Sequence, residues 1–391
     1  MSKTNQIMYW SPSLVNIATN KAVFNSALSL KKFKKKDVYD CSLINFFGEF
    51  DRFQEIADEN KINFINFFSK KLSKYLPRHG KIRSRFSFVL IFIFSFIPLK
   101  NLLNKRKPDF FIIHLLTSLP LVLLIIFNFQ SKFILRISGL PKLNFFRKYL
   151  WKIAFKKIHS VTCPTKNTRD LIKSLNIIDP DKIKLLYDPI IEVNKYSSRR
   201  IIEDKNFTFQ KEKYYLAIGR LTRQKNFLFL CNCFKKILLK KPDEKLLIAG
   251  EGEDYNKINK YIKHNKLEKN IFLLGYKKNI LTFLKNSKGL ILTSLWEDPG
   301  FVLIEAAMSK TFVLSSNCFN GPNELIKDDE NGILFESNNK INFEEKFNIF
   351  SKLDKNENKN ILLNNLKVAK NFTLFNHFKA LDNILINKKC F

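Results

Sequence analysis

The sequence predicts an α/β protein of two domains, each a parallel sheet with helices on both faces. Three observations carry this. Between 214 and 336 short apolar runs alternate with helical stretches, which is the pattern of βαβ units. The chain has 391 residues, 45% of them hydrophobic, long for one core and comfortable for two. From 188 to about 212 the periodicity is lost and charge rises, as expected of a boundary between domains.

In the amino half, FSFVLIFIFSFIPL at 86–99 is a 14-residue apolar run ending at Pro98, short of the roughly 20 residues a bilayer core requires. The run FFIIHLLTSLPLVLLIIFNF at 110–129 has the length but contains His114, Thr117, Ser118 and Pro120. It reads better as a buried strand at 109–113, a turn at 114–120, and an apolar helix with Pro120 at its first position. Asp179-Pro180-Asp181 precedes the strand-like KIKLLYDP and reads as a turn rather than a metal site. In the carboxyl half the predicted strands are 214–219, 245–250, 270–275, 289–294, 311–316 and 332–336. Helices are expected from about Asn226 to Lys240, from Glu253 to Lys266, at 279–287 and from Gly300 onward.

Six Cys without a repeated spacing, and a first apolar run broken at Ser11 and Pro12, point to a reducing cytosol without a secretory start. Cys231 and Cys233 lie in an apolar helical stretch without a second ligand pair, so they read as core and not as a zinc site. The chain carries 68 Lys and Arg against 35 Asp and Glu, a formal net charge of +33. Part of that excess is general to a chain rich in Lys, Asn, Ile and Phe. The rest clusters at Lys31, Lys32, Lys34, Lys35 and Lys36, then at Lys70, Lys71, Lys74, Arg78, Lys81, Arg83 and Arg85, directly before the apolar run at 86–99. Basic residues beside an apolar face describe a surface that rests on anionic lipid.

Ligands of parallel sheets sit at the carboxyl ends of the strands. After the first carboxyl-half strand comes GRLTRQKN, where Gly219 allows close backbone approach and Arg220 and Lys225 are spaced to converge on one anion. GEGED at 250–254 is a tight turn into a helix, a weak signal alone. After the fourth comes WEDPGFVLIEAAMS, with Glu297 in a loop, Glu305 inside the helix that follows, and an anion site at the free amides of Gly300, Phe301 and Val302. Carboxylates and cations together suit a ligand bearing both hydroxyls and phosphates, such as a nucleotide sugar.

The spacing from Glu297 to Glu305, with GRL and Lys225 upstream and NGPNEL at 320–325 downstream, resembles the retaining GT-B glycosyltransferases of family 4 over roughly 160–340. The resemblance implies two Rossmann-like domains facing a central cleft: 1–195 on the acceptor side, 196–372 on the donor side, and a carboxyl-terminal helix in 373–391 crossing back to the first. It implies that Arg220 and Lys225 hold the donor diphosphate, Glu305 accepts from the ribose, and Glu297 faces the transferred sugar. Gly219, Gly300, Phe301 and Val302 would contact the donor, and Gly275 and Tyr276 would border its base. His114 matches the family's histidine near the reacting carbon, and RISGLPK at 136–142 follows the next strand. The loop 9–22 departs from the family's Gly-rich pattern, offering Asn16, Ile17, Ala18 and Thr19 instead.

The implied reaction moves a sugar from a UDP-linked donor to a lipid-linked or lipopolysaccharide-type glycan with retention. No cofactor or metal is expected, and the implied location is the cytoplasmic face of the inner membrane. A glycogen-type synthase or phosphorylase shares the fold but suits a soluble polymer, which the basic and apolar amino half disfavours. A nucleic-acid binder explains the charge but leaves Glu297 and Glu305 without a role, so no nucleic-acid partner is expected.

Overall fold

The computed structural model describes residues 4–13, 18–34, 38–68, 81–137, 139, 144–194, 209 and 213–386, with backbone alone over 81–87. It divides into two compact units, Met1–Ile190 with Leu374–Phe391, and Ile191–Thr373.

Unit 1 holds seven parallel strands: β1 (Asn5–Trp10), β2 (Tyr39–Asn45), β3 (Ile62–Asn66), β4 (Phe110–Ile113), β5 (Lys132–Arg136), β6 (Ser160–Cys163) and β7 (Ile183–Leu185), in the order β3-β2-β1-β4-β5-β6-β7. Its helices are α1 (Ala18–Phe33), α2 (Gln54–Glu59), α3 (Lys81–Arg106), α4 (Ser118–Ile126), α5 (Phe145–Lys157) and α6 (Lys166–Ser174). Strand β1 is buried on both faces, as a central parallel strand must be. Its alternation sends Ile7 and Tyr9 into one core with Val23, Phe24 and Leu28 of α1, and Met8 and Trp10 into another with Ile91, Leu99 and Leu103 of α3.

Two sequence readings need correction here. The apolar run does not end at Pro98, because α3 is a 26-residue helix that continues through it to Arg106. Proline removes one helical hydrogen bond, and Leu99 and Leu103 beyond it hold the helix on the core. Phe88–Arg106 is therefore long and apolar enough to cross a membrane. The strands before and after it nevertheless belong to one sheet, which leaves α3 lying along unit 1. The apolar helix α4 starts at Ser118, two residues ahead of Pro120, which still sits in the first turn where its missing N–H costs nothing.

Unit 2 holds β8 (Tyr215–Ile218), β9 (Leu246–Ala249), β10 (Ile271–Gly275), β11 (Gly289–Leu292), β12 (Val313–Ser316) and β13 (Ile333–Phe335), all parallel, in the order β10-β9-β8-β11-β12-β13. Its helices are α7 (Phe227–Lys240), α8 (Tyr255–His264), α9 (Ile280–Asn286), α10 (Phe301–Met308), α11 (Pro322–Leu325), α12 (Lys340–Phe350) and α13 (Lys359–Ala369). Cys231 and Cys233 of α7 are buried thiols in its core, both pushed up to about 12 by burial. The last helix, α14 (Leu374–Leu385), returns to unit 1, where Phe378 and Leu381 join the core beside α1.

In each sheet the chain runs outward from a central strand and then restarts on that strand's other side. The switch points fall between β1 and β4 and between β8 and β11. Ligands of open α/β sheets bind at such points, beyond the carboxyl ends of the strands. Residues 14–17 of the Gly-less loop, Lys35 and Lys36, the cations from Lys70 to Arg78, and most of RISGLPK lie outside the described residues.

Candidate functional site

At the switch point of unit 2 the loops after β8 and β11 are laced together. Leu295 donates its N–H to Gln224 O at 2.8 Å, Gln224 Nε2 donates to Trp296 O at 2.9 Å, and Thr293 Oγ1 donates to Lys225 O at 3.0 Å. The turn after β9 closes on the same place. Gly250 has φ +146°, and a Cβ there would stand 1.9 Å from Gly219 O, so only glycine lets these two strand ends meet backbone to backbone.

The lacing brings two predicted residues into contact. Lys225 Nζ donates to Glu297 Oε1, which also accepts from Ser294 Oγ at 2.5 Å. The side chains are 12% and 5% exposed. The sequence offered Lys225 as a cation free for phosphate and Glu297 as a loop charge outside the core. Instead they form a buried pair. The reason lies in the segment after β12: Gly321 sits so close to Pro299 that a Cβ would be 2.3 Å from its carbonyl oxygen, while Asn320 Nδ2 donates to Glu297 O at 3.3 Å and Asp298 Oδ1 at 3.1 Å. Cys318 lies nearby, its thiol pushed up to about 12 by burial and by the negative charge of Glu297.

Arg220 is exposed, with Nη2 3.5 Å from Gln224 Oε1. An ammonium has three N–H groups, so Lys225 keeps two beyond the one given to Glu297. Gly300 caps α10 at φ +89°, and Phe301 and Val302, both half-buried, form the first turn where amides lack helical acceptors. Glu305 is half-buried farther along this helix. Tyr276, 68% exposed after β10, donates its backbone N–H to Glu251 Oε1 at 3.4 Å. Ser294, Gln224 and Asn320, which hold the pair in place, were not singled out from sequence. Such scaffolding residues carry no charge pattern to mark them.

At the switch point of unit 1, His114 follows β4 and donates its N–H to Trp10 O at 2.8 Å. Its ring is 6% exposed, and neither nitrogen has a hydrogen-bond partner among the described residues. Burial first, then the charges of Arg136 and of His377 if protonated, hold it well below the ordinary histidine range, so it is neutral. It borders a cavity of about 10 Å³ shared with Ser26, Arg136, Asp188 and His377, about the least space that admits one water. Arg136 donates Nε to Asp188 Oδ1 at 2.9 Å and Nη2 to Oδ2 at 2.5 Å. His377 of α14 bridges Ser26 Oγ at 2.8 Å and Tyr187 O at 2.7 Å. Sequence reading found His114 but missed Arg136 as an ion-pair partner and missed His377, which lies over 350 positions from Ser26.

Residues 198–365 match the family model described as glycosyl transferases group 1. An uncharacterised glycosyltransferase of Methanocaldococcus jannaschii is 31% identical over 243 residues, 58% of this chain and 60% of that protein. An N-acetylgalactosaminyltransferase of Campylobacter jejuni, named for a diphospho-undecaprenol substrate, is 30% identical over 193 residues, 49% of this chain and 50% of that protein. The alignments thus span about half to three-fifths of these relatives. A crystal structure of a glycosyltransferase from Rickettsia africae superposes with TM-score 0.75 at 19% identity, covering 99% of this chain and 100% of that one. The HepE structure from Anabaena with UDP and glucose superposes at TM-score 0.72 and 15% identity, covering 99% and 100%. The resemblance to GT-B glycosyltransferases therefore holds, in the family match over unit 2 and in the fold over the whole chain.

Proposed function

From a chain with the group 1 glycosyltransferase match on the GT-B fold, we propose an enzyme that moves a hexosyl group from a UDP-linked donor to a lipid-linked glycan with retention of configuration. The observation that carries this is the buried Lys225–Glu297 pair at the switch point of unit 2, beside exposed Arg220 and the amino end of α10. The donor diphosphate meets Arg220, the two remaining N–H groups of Lys225 and the amides of Phe301 and Val302. These offset the negative charge that grows as the bond from the sugar's anomeric carbon to the phosphate oxygen breaks. Glu297 is fixed by Lys225 and Ser294 toward the positive charge that develops on the sugar. Glu305 accepts from the ribose, Gly219 lets the phosphates approach the strand end, and Tyr276 borders the base. The acceptor oxygen attacks from the face the nucleotide leaves. Protein cations meet the phosphates, so the reaction runs without a metal.

Two relatives support the choice of partners: the Anabaena structure is a complex with UDP and glucose, and the Campylobacter relative is named for a diphospho-undecaprenol carrier. The basic and apolar amino half supports a location on the anionic cytoplasmic face of a membrane as part of this reading. Thermal unfolding against a panel of nucleotide sugars tests the donor half: one UDP-sugar raises Tm by mass action, and no shift with any of them contradicts the reading. Sedimentation with vesicles tests the location: anionic vesicles bind and raised salt releases the protein, since screening acts over about 10 Å at 0.1 M. Equal binding to neutral vesicles contradicts it.

A further inference from the structure

Unit 1 contains an apolar pocket of about 250 Å³ that the reading above leaves without a role. It is lined by Trp10 from the end of β1, by Phe88, Val89, Ile91 and Phe92 of α3, and by Leu116, Ser118 and Leu119 after β4. A dry apolar cavity of about 150 Å³ already accepts a benzene molecule, so this one has room for a short length of hydrocarbon chain. Its floor adjoins the sequence-predicted site: Trp10 O accepts from His114 N–H at 2.8 Å, and Trp10 Nε1 donates to Leu116 O at 3.3 Å. Leu116 is held at φ +48°, a left-handed conformation that residues with a Cβ rarely adopt. The same helix is apolar outside the pocket too. Ser95 and Leu99 face the core, while Ile93, Phe94 and Ile97 are each more than half exposed.

The chain segment that supplies all of the pocket's lining except Trp10 is one-sided in charge. From residue 60 to 169 the chain has 22 Lys and Arg against one acid, Asp109. That carboxylate accepts from Gln6 N–H at 2.9 Å, before β4 begins and at the opposite end of the strand from the pocket.

We propose that this pocket seats the hydrocarbon chain of the lipid-linked acceptor next to the anionic group that joins chain to glycan. It rests on the acceptor reading above and adds where the chain goes. The apolar walls take the chain, the basic segment that supplies those walls favours the phosphate, and the one-bond link from Trp10 to His114 sets the glycan end at the switch point.

The test uses farnesyl phosphate and dimethylallyl phosphate, which share a headgroup and differ by two isoprene units, titrated into the full chain by calorimetry. Farnesyl phosphate binds roughly tenfold or more tightly, because the added apolar surface is buried. Ser118→Trp, an exposed position on the pocket wall, brings the ratio below about twofold while binding to anionic vesicles stays unchanged. Val89→Trp, on the opposite wall, serves the same purpose should the first variant fold poorly, as judged by its unfolding midpoint. Ile93→Asn with Ile97→Asn on the outer face gives the converse, weaker vesicle binding with farnesyl phosphate unaffected. Equal binding of the two phosphates overturns the proposal. So does a pocket variant that loses vesicle binding in step with farnesyl phosphate, which marks a site for bilayer chains. Sugar transfer to a lipid-linked acceptor that ignores chain length and Ser118→Trp defeats this inference alone, whereas no transfer to any acceptor defeats the reading beneath it.

Discussion

The two switch points occupy the same topological place in their sheets and are furnished differently. In unit 2, β8 and β11 end in loops fastened around a buried ion pair, Lys225 with Glu297, with a second cation exposed at Arg220. In unit 1, β1 and β4 end at a neutral histidine, an apolar pocket and a minute cavity that the histidine shares with another buried ion pair, Arg136 with Asp188. A site of fixed charges suits a ligand whose charge is constant, as a diphosphate is. A site with a neutral histidine and an apolar pocket suits ligands distinguished by shape and hydrocarbon. The family model matches 198–365, most of unit 2 with the charged site inside it, while unit 1 carries likeness in fold. The difference is what a shared donor and a particular acceptor would produce.

The largest expected effect breaks the charged side. Glu297→Gln lowers kcat by about 10² to 10³, the scale of losing one electrostatic stabiliser. Because the pair is buried, it also leaves Lys225 without its counter-charge and lowers unfolding free energy by about 3 kcal/mol. Denaturant unfolding beside turnover separates the two effects. Burial explains the change: a carboxylate 5% exposed is part of the core as well as of the site.

The next effect belongs to the neutral side and shows in pH. Burial is the main cause that holds His377 down to about 4, and the Arg136 charge adds to it, against the opposing pull of Asp188 and the bond to Tyr187 O. The folded state therefore binds fewer protons than the unfolded one below the ordinary value near 6.5. The contribution of His377 is complete above that pH and is lost as acid is added through 4, about 3 kcal/mol in all for a shift of this size. Glu49 in the same unit tilts the other way: its buried carboxyl is pushed up to about 7, so its contribution fades as pH rises toward that value. Comparing the pH slope of stability between wild type and His377→Asn isolates the histidine, and an unchanged slope between pH 6.5 and 4 contradicts the assignment.

Smaller effects sharpen the contrast. Glu305→Gln weakens donor affinity by about 1 to 3 kcal/mol, the range for a hydrogen bond to a charged acceptor, and binding of the nucleotide sugar measured by calorimetry checks it. Lys240→Ala removes a surface pair with Glu344 in which the lysine is 70% exposed. It changes stability by less than about 1 kcal/mol, which calibrates how much more the buried pair contributes.

Most of unit 2 could be read from sequence because each element announces itself. LLIA and GLIL are continuous apolar runs between turn residues, and the observed strands fall within them. Glu297, Arg220 and Lys225 stood out because charges just after buried strands need a reason. Their pairing was not readable, since it depends on Ser294, Asn320 and Gly321 closing over the loop from 20 or more positions away in the case of the last two. Unit 1 was harder for a different reason. Helix α3 is apolar on both faces, so periodicity gave no inner side and Pro98 looked like an end. His377 and Ser26 are joined only by the return of α14, which no local pattern encodes.

The central claim is that the charged switch point of unit 2 drives transfer of a sugar from a nucleotide donor. Its most direct test measures UDP released and glycosylated lipid formed together, with purified wild type and Arg220→Ala, and reads the anomeric configuration of the product by NMR. The expected result is one UDP per product, formation only when donor and lipid-linked acceptor are both present, the donor's configuration retained, and a fall of about 10² or more for Arg220→Ala with its fold intact. Absence of release from every nucleotide sugar, or release and product indifferent to the loss of Arg220, would contradict it.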